Sequence, residues 1–277
     1  MNSNFMQFDF GKLYYSYIDN KSDKSIIFLH GNASSASSFY EICNLLKDNF
    51  NIFCIDFPGH GLSEHIDIDK HSYYYSFFGL RDILVSFYNT IKAKNIFIAG
   101  NSLGANIAVQ SLPFLSDIKG LILMASIHAK DKEAFFKTIL PTAPRELSLK
   151  KELNDYESKI LIEAFIHDAK NNPIIANKMR EDIKNSDGNF RTQLIHYIEK
   201  QGWPNERQLL EKNNLPLLII GGLQDSFINL SYYDELEKMT SMNKSQFHLL
   251  NNVGHVPHLE DPISCARLIT DFTACYN

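Results

Sequence analysis

The chain has 277 residues, of which 44% are apolar and 21% charged, a composition of folded globular proteins rather than of disordered or fibrous ones. A formal charge of −5 gives no general attraction to nucleic acid or to an anionic lipid surface. No apolar run approaches the about 20 residues of a membrane helix, and the N-terminus lacks the basic-then-apolar pattern of a secretory signal. Four cysteines without C-x-x-C spacing read as reduced, buried thiols, so the expectation is a cytoplasmic protein with no membrane span.

In chain order, residues 6–17 alternate aromatic and polar side chains and predict an antiparallel hairpin at a sheet edge. Near-continuous apolar runs of strand length follow at 25–29, 51–57, 95–99, 120–125, 217–220 and 246–250. Strands buried on both faces have this character, which points to a parallel sheet covered by helices. Helical patterns fall between and after them, at 38–47, 73–92, 103–115, 231–239 and 262–275. The alternation gives the α/β class. It breaks from 127 to 205, where the composition is helical, prolines interrupt at Pro141, Pro144, Pro173 and Pro204, and no strand pattern occurs. The reading is a core of residues 1–126 and 206–277, with 127–205 as a helical cap over one end of the sheet. The cap is close to neutral, with 13 basic residues between 130 and 200 against 12 acidic ones.

Strand 95–99 runs straight into Gly100-Asn101-Ser102-Leu103-Gly104 and then a helix. A residue in so tight a strand-to-helix turn projects its side chain away from both elements, and small neighbours two positions either side let strand and helix approach. The helix N-terminus beside it favours a developing anion. A serine hydroxyl is a weak nucleophile until a base takes its proton and an acid orients the base. Asp225 follows the strand 217–220, and His255 follows the strand 246–250, each where such a partner belongs. His258 is the rival base, farther from the strand end. After strand 25–29, His30-Gly31-Asn32 makes a turn that can aim the Asn32 amide inward. With the Leu103 amide it would form a two-donor oxyanion hole.

These residues resemble the α/β-hydrolase superfamily, in particular its capped, esterase-like branch. The motifs that carry the resemblance are His30-Gly31, Asp56-Phe57-Pro58-Gly59-His60-Gly61-Leu62-Ser63, Gly100-Asn101-Ser102-Leu103-Gly104, Gly222-Leu223-Gln224-Asp225 and Gly254-His255-Val256-Pro257-His258-Leu259-Glu260. The resemblance implies an eight-stranded, mostly parallel sheet with a cap after the sixth strand, no cofactor, and Ser102, His255 and Asp225 as nucleophile, base and acid. It also implies that 56–63 is support beside the site rather than chemistry. Asn32 after His30-Gly31 is similar to the haloalkane dehalogenases, but those carry an aspartate where this chain has Ser102, which favours acyl chemistry.

The expected activity is hydrolysis of a small or medium acyl ester through an acyl-enzyme on Ser102. Alternatives on the same residues are a C–C bond hydrolase, an acyltransferase and an esterase for methyl esters on an acyl carrier protein; a non-catalytic small-molecule receptor is the reading from another class. His60 and His65 beside Asp56, Glu64 and Asp67 fit no common zinc spacing, so no metal is expected. His30 reads as a buttress of its loop, and His128, His167, His196 and His248 as ordinary. Phe135, Phe136, Leu161, Phe165 and Trp203 read as core of the cap before they read as an acyl pocket.

Overall fold

Eight strands form a single sheet in a computed structural model, which describes residues 1–240 and 244–276. They are β1 (Asn2–Phe8), β2 (Gly11–Ile18), β3 (Ser25–Leu29), β4 (Asn51–Ile55), β5 (Ile96–Asn101), β6 (Gly120–Met124), β7 (Leu217–Gly222) and β8 (Ser245–Leu250). Their spatial order is β1-β2-β4-β3-β5-β6-β7-β8. Only β2 runs against its neighbours, through the hairpin with β1 and its antiparallel pairing with β4. Every residue of β3, β5, β6 and β7 is buried, which accounts for their unbroken apolar character.

Each central strand divides its side chains between two cores with period two. On one face Ile26, Phe28, Phe97, Ala99, Ile122 and Met124 meet Ile42 and Leu46 of the helix Tyr40–Leu46 and Ile269 and Phe272 of the helix Pro262–Ala274. On the other face Ile27, Leu29, Ile98, Leu121 and Leu123 meet the helices Phe77–Thr90 and Leu103–Ser111. Full burial of one such side chain stabilises by about 1.5–3 kcal/mol.

The expected strand 51–57 stops at Ile55, because the next carboxylate, Asp56, turns to accept from the amides of Ala36 (2.6 Å) and Leu62 (2.7 Å). The expected helix 73–92 divides at Ser76, whose hydroxyl caps the second part by accepting from the Gly79 amide. Helix 103–115 likewise gives way to a tighter turn, Leu112–Phe114, at Pro113. Cys43, Cys54 and Cys265 are buried free thiols, whereas Cys275 is exposed.

Between β6 and β7 the chain leaves the sheet. It forms helices Lys132–Thr138, Asp155–Phe165, Pro173–Asn185, Gly188–Gln201 and Glu206–Glu211. Pro173 does not interrupt a helix; it opens one at the first turn, where a missing N–H costs nothing. Leu161, Ile162, Met179, Phe190 and Leu194 of these helices join the same apolar cluster as the helices Phe77–Thr90 and Leu103–Ser111. The insertion therefore packs on that side of the sheet. Among the described residues no helix is long and apolar enough to cross a membrane.

The strand order fixes where a site can form. The chain winds outward from β3 to β4, then returns across β3 to place β5 on its other side. Loops leaving the C-terminal ends of β3 and β5 thus part in opposite directions and open a crevice between them. Gly31 and Asn32 stand at one edge of it and Ser102 at the other.

Candidate active site

Ser102 has φ +50° and ψ −117°, a conformation that costs a residue with a side chain about 1–3 kcal/mol. The surroundings hold it there. Its amide donates to Met124 O at 2.9 Å, and its carbonyl accepts from the amides of Ala105 and Asn106. Strand and helix meet so closely that a Cβ on Gly100 would lie 2.3 Å from Ala105 N, and one on Gly104 would lie 2.1 Å from Leu29 O.

Ser102 Oγ is 3.1 Å from His255 Nε2, and His255 Nδ1 is 2.9 Å from Asp225 Oδ2. The other Asp225 oxygen accepts from the amides of Phe227 (2.7 Å) and Ile228 (3.1 Å), so the carboxylate plane is fixed. A carboxylate on Nδ1 selects the tautomer with its proton there, which leaves Nε2 free to accept from the serine. His255 is nearly buried, stacked on Phe165 with ring centroids 5.0 Å apart, and its amide donates to Phe165 O at 2.7 Å. Asn101, a variable position of the serine motif, donates through Nδ2 to the carbonyls of His255 (3.1 Å) and Met124 (3.2 Å). It ties the histidine loop to the end of β5, a role for which the serine motif carries no signal.

The amides of Asn32 and Leu103 have no hydrogen-bond acceptor among the described residues. Gly31 lets the β3 loop pack tightly on the serine turn, since a Cβ there would lie 3.2 Å from Asn101 Oδ1. Two buried histidines support that loop. His30 Nε2 accepts from the Phe57 amide (2.9 Å) while Nδ1 donates to Gly31 O (2.7 Å). His60 Nε2 accepts from the Ala33 amide at 3.2 Å. Burial pushes His30 down to about 4 and His60 well below the usual imidazole range, so both serve as neutral struts. Asp56, whose carboxylate holds the segment at both ends, is pushed up to about 6 by burial. Among the described residues no group of three or more His, Cys, Asp or Glu could hold a metal ion.

His258 lies apart from this chain of contacts. It is buried, stacked on Phe39 at 4.5 Å, and neither ring nitrogen has a partner among the described residues. Burial lowers it to about 3. Glu260 instead clamps the histidine loop to the insertion, accepting from the amides of Gly254 (2.9 Å) and His167 (2.6 Å), and burial pushes it up to about 7.

Ser102 and His255 open on a cavity of about 970 Å³ including its mouth. Phe135, Phe136, Phe165 and Trp203 line it, so four of the five side chains read as core of the insertion pack against the core and also face the serine's cavity. Leu161 is fully buried in the core and does not reach the cavity. A second buried polar chain lies behind the wall. Ser126 Oγ is 2.9 Å from His128 Nε2, and His128 Nδ1 is 2.9 Å from Glu206 Oε2. Glu206 also accepts from Asn106 Nδ2 (2.7 Å) and Gln110 Nε2 (2.5 Å). His128, read as ordinary, joins Ser126, two residues before it, to Glu206, which lies too far along the chain to leave a local pattern.

The alpha/beta hydrolase fold family matches residues 24–262. The chain belongs to the α/β-hydrolase family. It is 24% identical over 270 residues to the monoacylglycerol lipase ABHD6 of Homo sapiens, spanning 90% of this chain and 75% of that one. It is 23% identical over 272 residues to the uncharacterized hydrolase YugF of Bacillus subtilis (strain 168), spanning 94% and 93%. Among solved structures, the N-acyl homoserine lactonase AidH complexed with N-butanoyl homoserine superposes with a TM-score of 0.86 at 18% identity, over 99% of this chain and 96% of that one. A thermophilic esterase from Thermogutta terrifontis superposes with a TM-score of 0.79 at 17% identity, over 99% of each. At these identities the structural likeness is one of fold; the relatives of this α/β-hydrolase include esterases and lipases.

Proposed function

We propose that this α/β-hydrolase cleaves carboxylic esters with a small or medium apolar acyl chain, using Ser102 as nucleophile. His255 takes the serine proton as Oγ attacks the ester carbonyl, and Asp225 stabilises the imidazolium that results. The amides of Asn32 and Leu103 hold the oxyanion; each such donor contributes about 3–4 kcal/mol to the transition state. The alcohol leaves with the proton from His255, and the bond between Oγ and the acyl carbon remains. Water activated by the same imidazole then attacks that carbon and releases the acid and the free serine. Residues 127–205 act as the cap that shields these steps from bulk water.

The observation that carries the reading is the continuous hydrogen-bonded line Ser102–His255–Asp225, ending at an apolar cavity. Relatives named as a monoacylglycerol lipase and an esterase support the ester as the bond broken. The test is turnover of p-nitrophenyl butyrate by wild type and Ser102→Ala, with a fluorophosphonate probe as a second readout. The expected result is labelling of wild type alone and a fall in kcat of about 10⁴-fold or more in the variant. Equal turnover in both proteins would remove Ser102 from its role.

A further inference from the structure

Three asparagines, Asn32, Asn101 and Asn106, line the cavity with Ser102, and neighbours that can only accept dictate the orientation of all three side-chain amides. Asn106 Nδ2 lies 2.7 Å from Ile127 O and 2.7 Å from Glu206 Oε2. A carbonyl and a carboxylate bring no proton, so both N–H bonds of Asn106 are committed to them and Oδ1 is the end left for the cavity. Turning the amide over would set Oδ1 against two acceptors. Asn32 is fixed the same way. Its Nδ2 donates to Ser148 O at 2.8 Å, and its Oδ1 is buried with no hydrogen-bond partner among the described residues.

Glu206 makes the orientation of Asn106 rigid. Its side chain is fully buried, and three donors converge on it from Asn106, Gln110 and His128. A carboxylate buried that deeply is tolerated only with such a complement, and it holds every donor in place. The result is a largely apolar cavity in which Asn106 holds a fixed carbonyl acceptor, whereas Asn32 Oδ1 is buried out of reach of it. A buried acceptor costs free energy until a donor fills it, and an alkyl group cannot.

We infer that Asn106, aimed by Glu206, selects esters that carry a hydroxyl or amide N–H close to the scissile carbonyl over plain alkyl esters. The inference rests on Ser102 acting as the ester nucleophile. Glu206 is a positioning residue, acting through Asn106. The donor could stand on the alcohol side, as in a partial glyceride, or on the acyl side, as in an N-acyl amino acid ester, and matched substrates tell these apart.

The experiment compares kcat/KM for 2,3-dihydroxypropyl hexanoate against propyl hexanoate, and for methyl N-hexanoylglycinate against methyl nonanoate. In wild type at least one donor-bearing ester is expected to be favoured by about tenfold or more, and the favoured pair names the side of the donor. In Asn106→Ala and in Glu206→Gln that ratio is expected to fall towards one. Loss of folded protein lowers both rates of a pair alike and leaves the ratio unmoved, so the ratio separates positioning from stability. Equal kcat/KM within both pairs in wild type would overturn the inference even if neither variant folds. A ratio retained in folded Asn106→Ala would overturn it as well. Absence of turnover for all four esters would instead remove the ester reading, and this inference with it.

Discussion

Asp225 shows how much of the site's chemistry is set by which oxygen faces which donor. One carboxylate oxygen receives two backbone amides and the other receives His255 Nδ1–H. In Asp225→Asn the amides of Phe227 and Ile228 still demand an oxygen, so the new NH2 must face the imidazole. Nδ1 then has to accept, the proton moves to Nε2, and His255 loses the lone pair that would take the serine proton. The expected outcome is a loss in kcat of about 10⁴-fold with little change in KM and an unchanged melting temperature. A kcat near that of wild type would show that Asp225 does not set the tautomer. Residues of this kind are legible in sequence because chemistry and turn geometry fix both their type and their place after a strand. Asn101 was not, since the serine motif leaves its position free, and only the fold brings the His255 carbonyl within 3.1 Å of its side chain.

Among the elements, the wholly buried strands β3, β5, β6 and β7 were readable to within two residues because burial on both faces leaves few polar side chains in them, whereas the exposed edge strand β1 begins at Asn2, four residues before the expected hairpin. The helices of the insertion were readable as helices but not in their orientation. An aromatic at helical spacing looks the same whether it packs wholly against another helix or also walls a cavity, and Phe135 and Phe165 do the latter. The helix Asp155–Phe165 links local sequence to the site. It starts in a reciprocal cap, with Asn154 Oδ1 accepting from the Glu157 amide (2.9 Å) and Glu157 accepting from the Asn154 amide (3.1 Å). It ends at Phe165, whose carbonyl and ring both meet His255. Asn154→Ala removes one half of the cap and is expected to cost about 1 kcal/mol, read as a drop in melting temperature of about 2–4 °C. The far end of the helix is fixed by its contact with the histidine loop, so kcat/KM is expected to stay within about twofold. A large loss of activity without a loss of stability would show that the cap acts on the site directly.

At the scale of the whole molecule, the arrangement that makes the site also makes the protein sensitive to acid. Packing the β3 loop and the histidine loop against the core buries His30, His60 and His258 as neutral rings. Asp56 and Glu260 titrate in the opposite sense, because burial raises them to about 6 and about 7, so they lose stability as pH rises. His258 isolates one contribution, since its nitrogens have no partners to lose and it stacks on Phe39 as a phenyl ring would. Burial, then the charges of Lys178 and His255, lower it to about 3, against 6.5 for the unfolded chain. Between those values the unfolded state holds a proton that the native state refuses. The neutral ring therefore adds no pH-dependent cost above about pH 6.5, and stability falls as pH drops from there towards 3, by about 1.4 kcal/mol per unit. In His258→Phe this term is absent. Whatever the phenyl ring gains or loses by packing is independent of pH, and the contributions of Asp56, Glu260, His30 and His60 are common to both proteins. The difference in unfolding free energy, variant minus wild type, is therefore expected to grow by about 2 kcal/mol between pH 7 and pH 5 in denaturant titrations. Parallel stability curves over that range would mean that His258 takes up a proton in the native state, and so that its ring is not sealed in the core.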